Sequence, residues 1–120
     1  MLITEANVLT ARPDRYLAQL CQHLAQVARL NPVMRASVEW TQESGTIGFP
    51  WATCRLVAGS GMLTLRVESP DETGLRRLRR RVGERLVQIG RRDGLTVAWS
   101  TPERVDPRRS RPAGTPVADG

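Results

Sequence analysis

Four short segments between residues 36 and 68 alternate apolar and polar side chains and are separated by turns, which limits the fold more than any other feature. In "ASVEW", Ala36, Val38 and Trp40 share one side; in "TIGF", Ile47 and Phe49 do, after a Glu43-Ser44-Gly45 turn. Pro50 interrupts, "ATCRLV" resumes with Ala52, Cys54 and Leu56 in phase, and "GSG" turns the chain again. "MLTLRVE" then sets Leu63, Leu65 and Val67 on one face and Thr64, Arg66 and Glu68 on the other. Successive strand residues point to opposite faces, so this pattern describes an antiparallel meander with one buried face. That face needs a cover.

Two amphipathic segments supply it. Leu75, Leu78, Val82, Leu86 and Ile89 recur three or four residues apart, which is one stripe of a helix. "SPDE" ahead of them reads as a capping box, with Ser69 as cap, Pro70 in the first position and Glu72 reaching back. "RRDG" ends this helix. Upstream, Thr10 as cap, Pro13 in the first turn and Asp14 near the positive end of the dipole start another. On a helical wheel Pro13, Tyr16, Leu17, Leu24 and Val27 fall within about 60° of Leu20. Asp14, Arg15, Gln22, Gln26 and Arg29 take the far side, and Asn31-Pro32 closes the helix.

A strand at about residues 3–10 precedes the first helix, and "LTVAW", with Leu95, Val97 and Trp99 in phase, follows the second. The predicted order is β-α-β-β-β-β-α-β. It implies an α+β, two-layer sandwich: an antiparallel sheet of about five to six strands with two helices on one face. Residues 1–99 make a single α+β domain, and residues 100–120, with four prolines, a disordered Pro/Arg-rich tail.

Composition removes several classes. No stretch approaches the roughly 18 apolar residues of a membrane span. "MLITEANVLT" lacks the basic n-region, apolar run and cleavage site of a secretory signal, so a cytoplasmic location is expected. Cys21 and Cys54 are too few for a disulfide framework and are expected as thiols. All 18 basic residues are arginine, a skew read as the codon bias of a GC-rich genome.

The net charge of +6 is localised. Residues 71–92 hold eight arginines against Asp71, Glu72 and Glu84, whereas residues 1–70 and 93–99 are neutral. Arg76, Arg77, Arg80 and Arg81 point away from the apolar stripe, with Arg79 and Arg85 on its borders. Such a face is either a solvated surface or a docking site for nucleic acid or another polyanion. No aromatic residues interleave with these arginines to stack bases, and no DNA-binding motif accompanies them.

Cys21 and the single histidine, His23, are two apart and do not share a helix face. Positions three and four from His23 are Gln19, Leu20, Gln26 and Val27, none a usual metal ligand. A metal or haem site, or a Cys-His nucleophile, would have to recruit Cys54 through tertiary packing. No motif names a cofactor. Cys21 and Cys54 read best as small buried hydrophobes. His23 is expected on the border of the first helix, with Tyr16. Trp51, next to Pro50 at a hairpin tip, falls on the outward face, as an exposed contact or a local lid.

"RYLAQLCQH", "SGTIGFPWATCRL", "LTLRVESPDETGLRRL" and "LTVAW" occur in an order and spacing that resembles the bacterial domain of unknown function 2218 family, over about residues 5–99. Family members often carry a second histidine where this chain has Gln26, which weakens a paired-histidine site, and "ARLNPVMRA" is longer than the usual connection. The resemblance implies an occasional setting in iron or siderophore uptake and no established activity. The expected function is a non-enzymatic domain binding a protein partner or small ligand through Arg15, Tyr16, His23 and Trp51. The alternative is polyanion or nucleic-acid binding through Arg76, Arg77, Arg80 and Arg81.

Overall fold

The computed structural model of the chain describes residues 1–104. Its elements are β1 (Leu2–Leu9), α1 (Pro13–Leu30), β2 (Ser37–Trp40), β3 (Ser44–Phe49), β4 (Ala52–Gly59), β5 (Met62–Ser69), α2 (Glu72–Ile89) and β6 (Glu103–Arg104), with single 3-10 turns at Pro32–Met34 and Arg91–Asp93. The strands form one antiparallel sheet in the order β2-β3-β4-β5-β1-β6, with β1 inserted between β5 and β6. This is the α+β architecture that the alternation and the two stripes require. Gly61, in the left-handed region at φ 70°, makes the tight turn from β4 to β5.

Register explains the core. Across the covered face, Ile47, Cys54, Val67 and Thr4 form one row, and Gly45, Leu56, Leu65 and Ala6 the next. From above, Leu17, Leu20 and Leu24 of α1 and Leu75, Leu78, Val82 and Leu86 of α2 are buried against them. Burying each such leucine or valine contributes about 1.5–3 kcal/mol relative to exposure. Trp40 shares the covered face through its pairing with Gly45, yet it stays 37% exposed because β2 is the sheet edge.

Three local expectations are corrected. Asp71, not Ser69, caps α2: its carboxylate accepts from Gly74 N–H at 2.7 Å. Ser69 ends β5 fully buried, and its hydroxyl donates to the Trp51 carbonyl at 2.9 Å. Glu72 pairs forward with Arg76 at 3.5 Å instead of reaching back. Thr10 accepts from Arg12 N–H at 3.1 Å but does not cap α1, which starts at Pro13 after Arg12 without a side-chain cap.

"LTVAW" forms no regular strand; it touches β1 through a single bridge, Trp99 to Ala6. Leu95 tucks under Gly90 and is buried, and Trp99 lies over Gly83, so one-sided burial is met without a ladder. Ser100 then locks onto β1, donating its N–H to the Glu5 carbonyl at 2.7 Å while its carbonyl accepts from buried Thr4 at 2.6 Å. The last strand is Glu103–Arg104, inside the segment expected as tail. The remainder of that expectation, residues 105–120, lies outside the described residues.

Candidate functional site

The two helices lie side by side on the sheet, and the seam between them gathers most of the chemistry. His23, Leu24 and Val27 of α1 face Arg77, Arg80, Arg81, Glu84 and Arg85 of α2 across an open groove of about 760 Å³. Gln88 and Arg91 line this groove and also a second one of about 350 Å³, whose walls include Arg12, Arg15, Tyr16, Arg92 and Asp93. The two grooves therefore lie next to each other along the seam, with Gln88 and Arg91 in the wall of both.

Its charge is one-sided. The acids that line it are Glu84 and Asp93, and both are engaged. Glu84 accepts from Arg80 Nε at 3.1 Å. Asp93 accepts a short hydrogen bond from the Tyr16 hydroxyl, which raises the tyrosine pKa above its ordinary value. Arg85 donates to Gln88 Oε1 at 2.7 Å. Among the described residues, Arg12, Arg15, Arg77, Arg81, Arg85, Arg91 and Arg92 make no ion pair within 4.0 Å.

Two of these arginines rest on rings. Phe49 and Trp51 stack with centroids 4.8 Å apart. The Arg77 guanidinium lies 4.5 Å from the Trp51 ring centroid and that of Arg81 5.8 Å from the Phe49 centroid. Stacking engages the face of a guanidinium and leaves its in-plane N–H donors free for an anion, and it lowers the entropy lost when one binds. The platform depends on Gly74: a Cβ there would sit 2.8 Å from the Trp51 carbonyl oxygen and 2.5 Å from Ser69 Oγ.

Trp51 is thus half-buried on the helix-covered side: of the two readings the local lid fits, and the exposed contact on the outward face is corrected. The Pro50-Trp51 turn breaks the period-2 phase from which the outward position was counted. His23 and Tyr16 both reach the seam, one at each end, and Arg15 stands with Tyr16. Arg77, Arg80 and Arg81 join them there, whereas Arg76 does not and pairs with Glu72. The border of α1 and the basic face of α2, two separate readings of the sequence, therefore meet along the seam between the helices.

His23 is half-buried, and burial followed by the Arg85 charge holds its pKa below the usual imidazole value. It is neutral at pH 7 and can offer one donor and one acceptor. The cysteines stay apart from it. Cys21 packs into the hollow at Gly45, where a Cβ would come within 2.9 Å of its sulfur, and burial pushes its thiol up to about 11. Cys54, fully buried between Ile47 and Val67, is raised further by burial and by Cys21. Both are free thiols held in the unreactive protonated form. The proposed convergence of Cys21, His23 and Cys54 does not occur, and no group of three or more metal-ligating side chains exists among the described residues. Nor is any helix among them long and apolar enough to cross a membrane.

Arg12, Arg91, Arg92 and Asp93 enter the site unannounced. By sequence "RRDG" is a helix stop, and only the turn at Arg91–Asp93 swings these residues back toward α1. The one legible signal was the excess of arginine over acid up to Arg92.

A family model described as an uncharacterized protein conserved in bacteria (DUF2218) matches residues 5–100. The chain belongs to this family. The matched span includes both helices, and hence the seam between them. Among solved structures the chain is similar to the NMR structure of PA4090 from Pseudomonas aeruginosa, with 28% identity and a TM-score of 0.66, over 83% of this chain and 96% of that one. No curated protein matches.

Proposed function

We propose that this DUF2218 domain is a binding module whose α1–α2 seam holds a small anionic ligand, with the His23 groove as the primary site. The observation that carries this reading is the gathering of His23, Arg77, Arg81, Arg85 and Arg91 around one concavity whose acid, Glu84, is already paired with Arg80. Planar guanidinium forks match phosphate and carboxylate oxygens. The aromatic platform under Arg77 and Arg81 sets two of those forks in advance, and Leu24 and Val27 give an apolar wall for the body of a ligand. Among the described residues, neither Cys21 nor Cys54 lines the seam, and the Tyr16 hydroxyl is held by Asp93.

Polyanion binding across the exposed face of α2 is the second reading. It is less favoured because Arg76 and Arg80 are already matched to Glu72 and Glu84 one turn away. No group of three or more metal-ligating side chains among the described residues supports the iron setting implied by the family resemblance.

Calorimetric titration with inorganic phosphate at low salt tests the proposal. Saturable binding is expected, lost in the Arg77→Gln/Arg81→Gln variant and retained in Arg76→Gln. Binding that is absent, or insensitive to Arg77 and Arg81, overturns it. Nucleic-acid binding with a steep salt dependence, weakened as much by Arg76→Gln as by Arg77→Gln, would favour the second reading.

A further inference from the structure

We infer that the ligand carries two anionic groups, and that the Arg12–Arg15–Arg91–Arg92 end of the seam is the subsite for the second. This rests on the anion-binding reading of the His23 groove and deepens it.

The second groove is a distinct basic cluster. Arg12 lies just before α1 and Arg15 in its first turn, while Arg91 and Arg92 lie on the turn after α2, so four arginines from two ends of the chain converge there. They face a single carboxylate, Asp93, and that carboxylate is held by the hydroxyl of Tyr16, whose ring is buried in the core. Asp93 is thereby anchored, not directed at the guanidinium groups, and none of the four arginines has an ion-pair partner within 4.0 Å among the described residues. Four like charges gathered at one place repel one another, and an anion seated among them relieves that repulsion.

The two clusters are adjacent. Gln88 and Arg91 line both grooves, and Gln88 is fixed by the hydrogen bond it accepts from Arg85. A ligand lying along the seam would place one anionic group beside Arg77, Arg81 and Arg85 and the other beside Arg12, Arg15 and Arg92. Its middle would cross Gln88, a neutral amide able to donate to or accept from a polar linker. The chemical class is an elongated bis-anion, with terminal phosphates or terminal carboxylates. Once one end is bound, the other binds at high effective concentration, so the pair is held far more tightly than either group alone.

The test is a calorimetric titration of the full chain with two series of probes, α,ω-alkane bisphosphonates and α,ω-alkane dicarboxylates of increasing length, each beside its mono-anionic counterpart of the same length. At the best length in either series the bis-anion is expected to bind at least tenfold more tightly than the mono-anion, and the tighter series names the terminal group. Arg12→Gln/Arg15→Gln should bring the bis-anion down to mono-anion affinity while leaving the mono-anion unchanged. Arg77→Gln/Arg81→Gln should weaken both, and Arg76→Gln, outside both grooves, neither. Thermal melts verify that each variant is folded. Equal affinity of bis- and mono-anions at every length, or a bis-anion advantage that survives loss of Arg12 and Arg15, overturns the inference while leaving the His23 groove in place. Failure of every probe to bind overturns both readings.

Discussion

Arginine occurs on the open face of the sheet as well as in the helix seam, and the two regions treat it in opposite ways. On the sheet, Arg66 lies opposite Glu5 on β1 and opposite Arg55 on β4, while Glu68 stands one step along. The result is a closed chain of charges: Glu5 to Arg66 at 3.6 Å, Arg66 to Glu68 at 3.1 Å, and Glu68 to Arg55 at 3.8 Å. Thr64 and Asn7 complete the surface with a hydrogen bond of 3.1 Å. Strand register places Arg55 and Arg66 each within 4.0 Å of a carboxylate. In the seam, register does not operate. Two helices bring their arginines together by packing, and the acids at hand are already taken. Net positive charge thus says little about function until matched charge is separated from unmatched charge.

That contrast is broken or sharpened by substitution. Arg77→Gln with Arg81→Gln should lower phosphate affinity about 30- to 100-fold, the loss of two charge-assisted contacts, and calorimetry measures it. Arg55→Gln with Arg66→Gln, which removes the same charge from the sheet face, should leave phosphate affinity within about twofold. A smaller effect concerns pH. A bound anion favours the imidazolium form of His23, so binding takes up a proton, and affinity for sulfate, whose own charge is constant over this range, should rise about three- to tenfold as the pH falls from 7.5 to 5.5. Without ligand the sign reverses. His23 titrates below its unfolded value, so its contribution to stability is fully present above about pH 6.5 and is lost as the pH falls through the folded value. His23→Gln should flatten both profiles in a binding titration and a thermal melt.

Smaller again is the aromatic platform. Trp51→Ala should weaken phosphate binding about two- to fivefold, the worth of one exposed cation–π contact. The effect should vanish in an Arg77→Gln background, a double-mutant cycle that separates positioning from general loosening of the fold. The sheet face gives the smallest change. Glu68→Gln breaks two pairs in which the carboxylate is half-buried and the arginines are more exposed, and should cost about 1 kcal/mol in denaturant unfolding, with no change in phosphate affinity.

The layered fold was legible because alternation and stripe spacing report directly on which side of an element is buried. Leu63, Leu65 and Val67 on one strand, and Leu75, Leu78, Val82 and Leu86 on one helix, are buried as their periods require. What burial alone does not encode was missed. Ser69 and Asp71 are equally good cap residues; the phase of β5 turns Ser69 inward to the Trp51 carbonyl and leaves the cap to Asp71. Leu95, Val97 and Trp99 alternate as a strand does, yet they pack along α2 and reach β1 only at Trp99.

The seam was half visible for a similar reason. A helical wheel identifies the border residues Tyr16 and His23 and the basic face of Arg77 and Arg81, each on its own helix. It does not give the rotation of one helix against the other, which joins these borders into a single site. Arg12, Arg91 and Arg92 sit beyond the helix ends, where periodicity carries no information.

Amide chemical shifts followed during a phosphate titration test the central claim most directly, since the unmatched seam and the matched sheet face are read in one experiment. Saturable shifts should concentrate at His23, Leu24, Val27, Arg77, Arg81 and Arg85, with Thr53, Arg55, Thr64 and Arg66 unmoved. Shifts spread over both faces in proportion to their arginines, without saturation, would contradict the account.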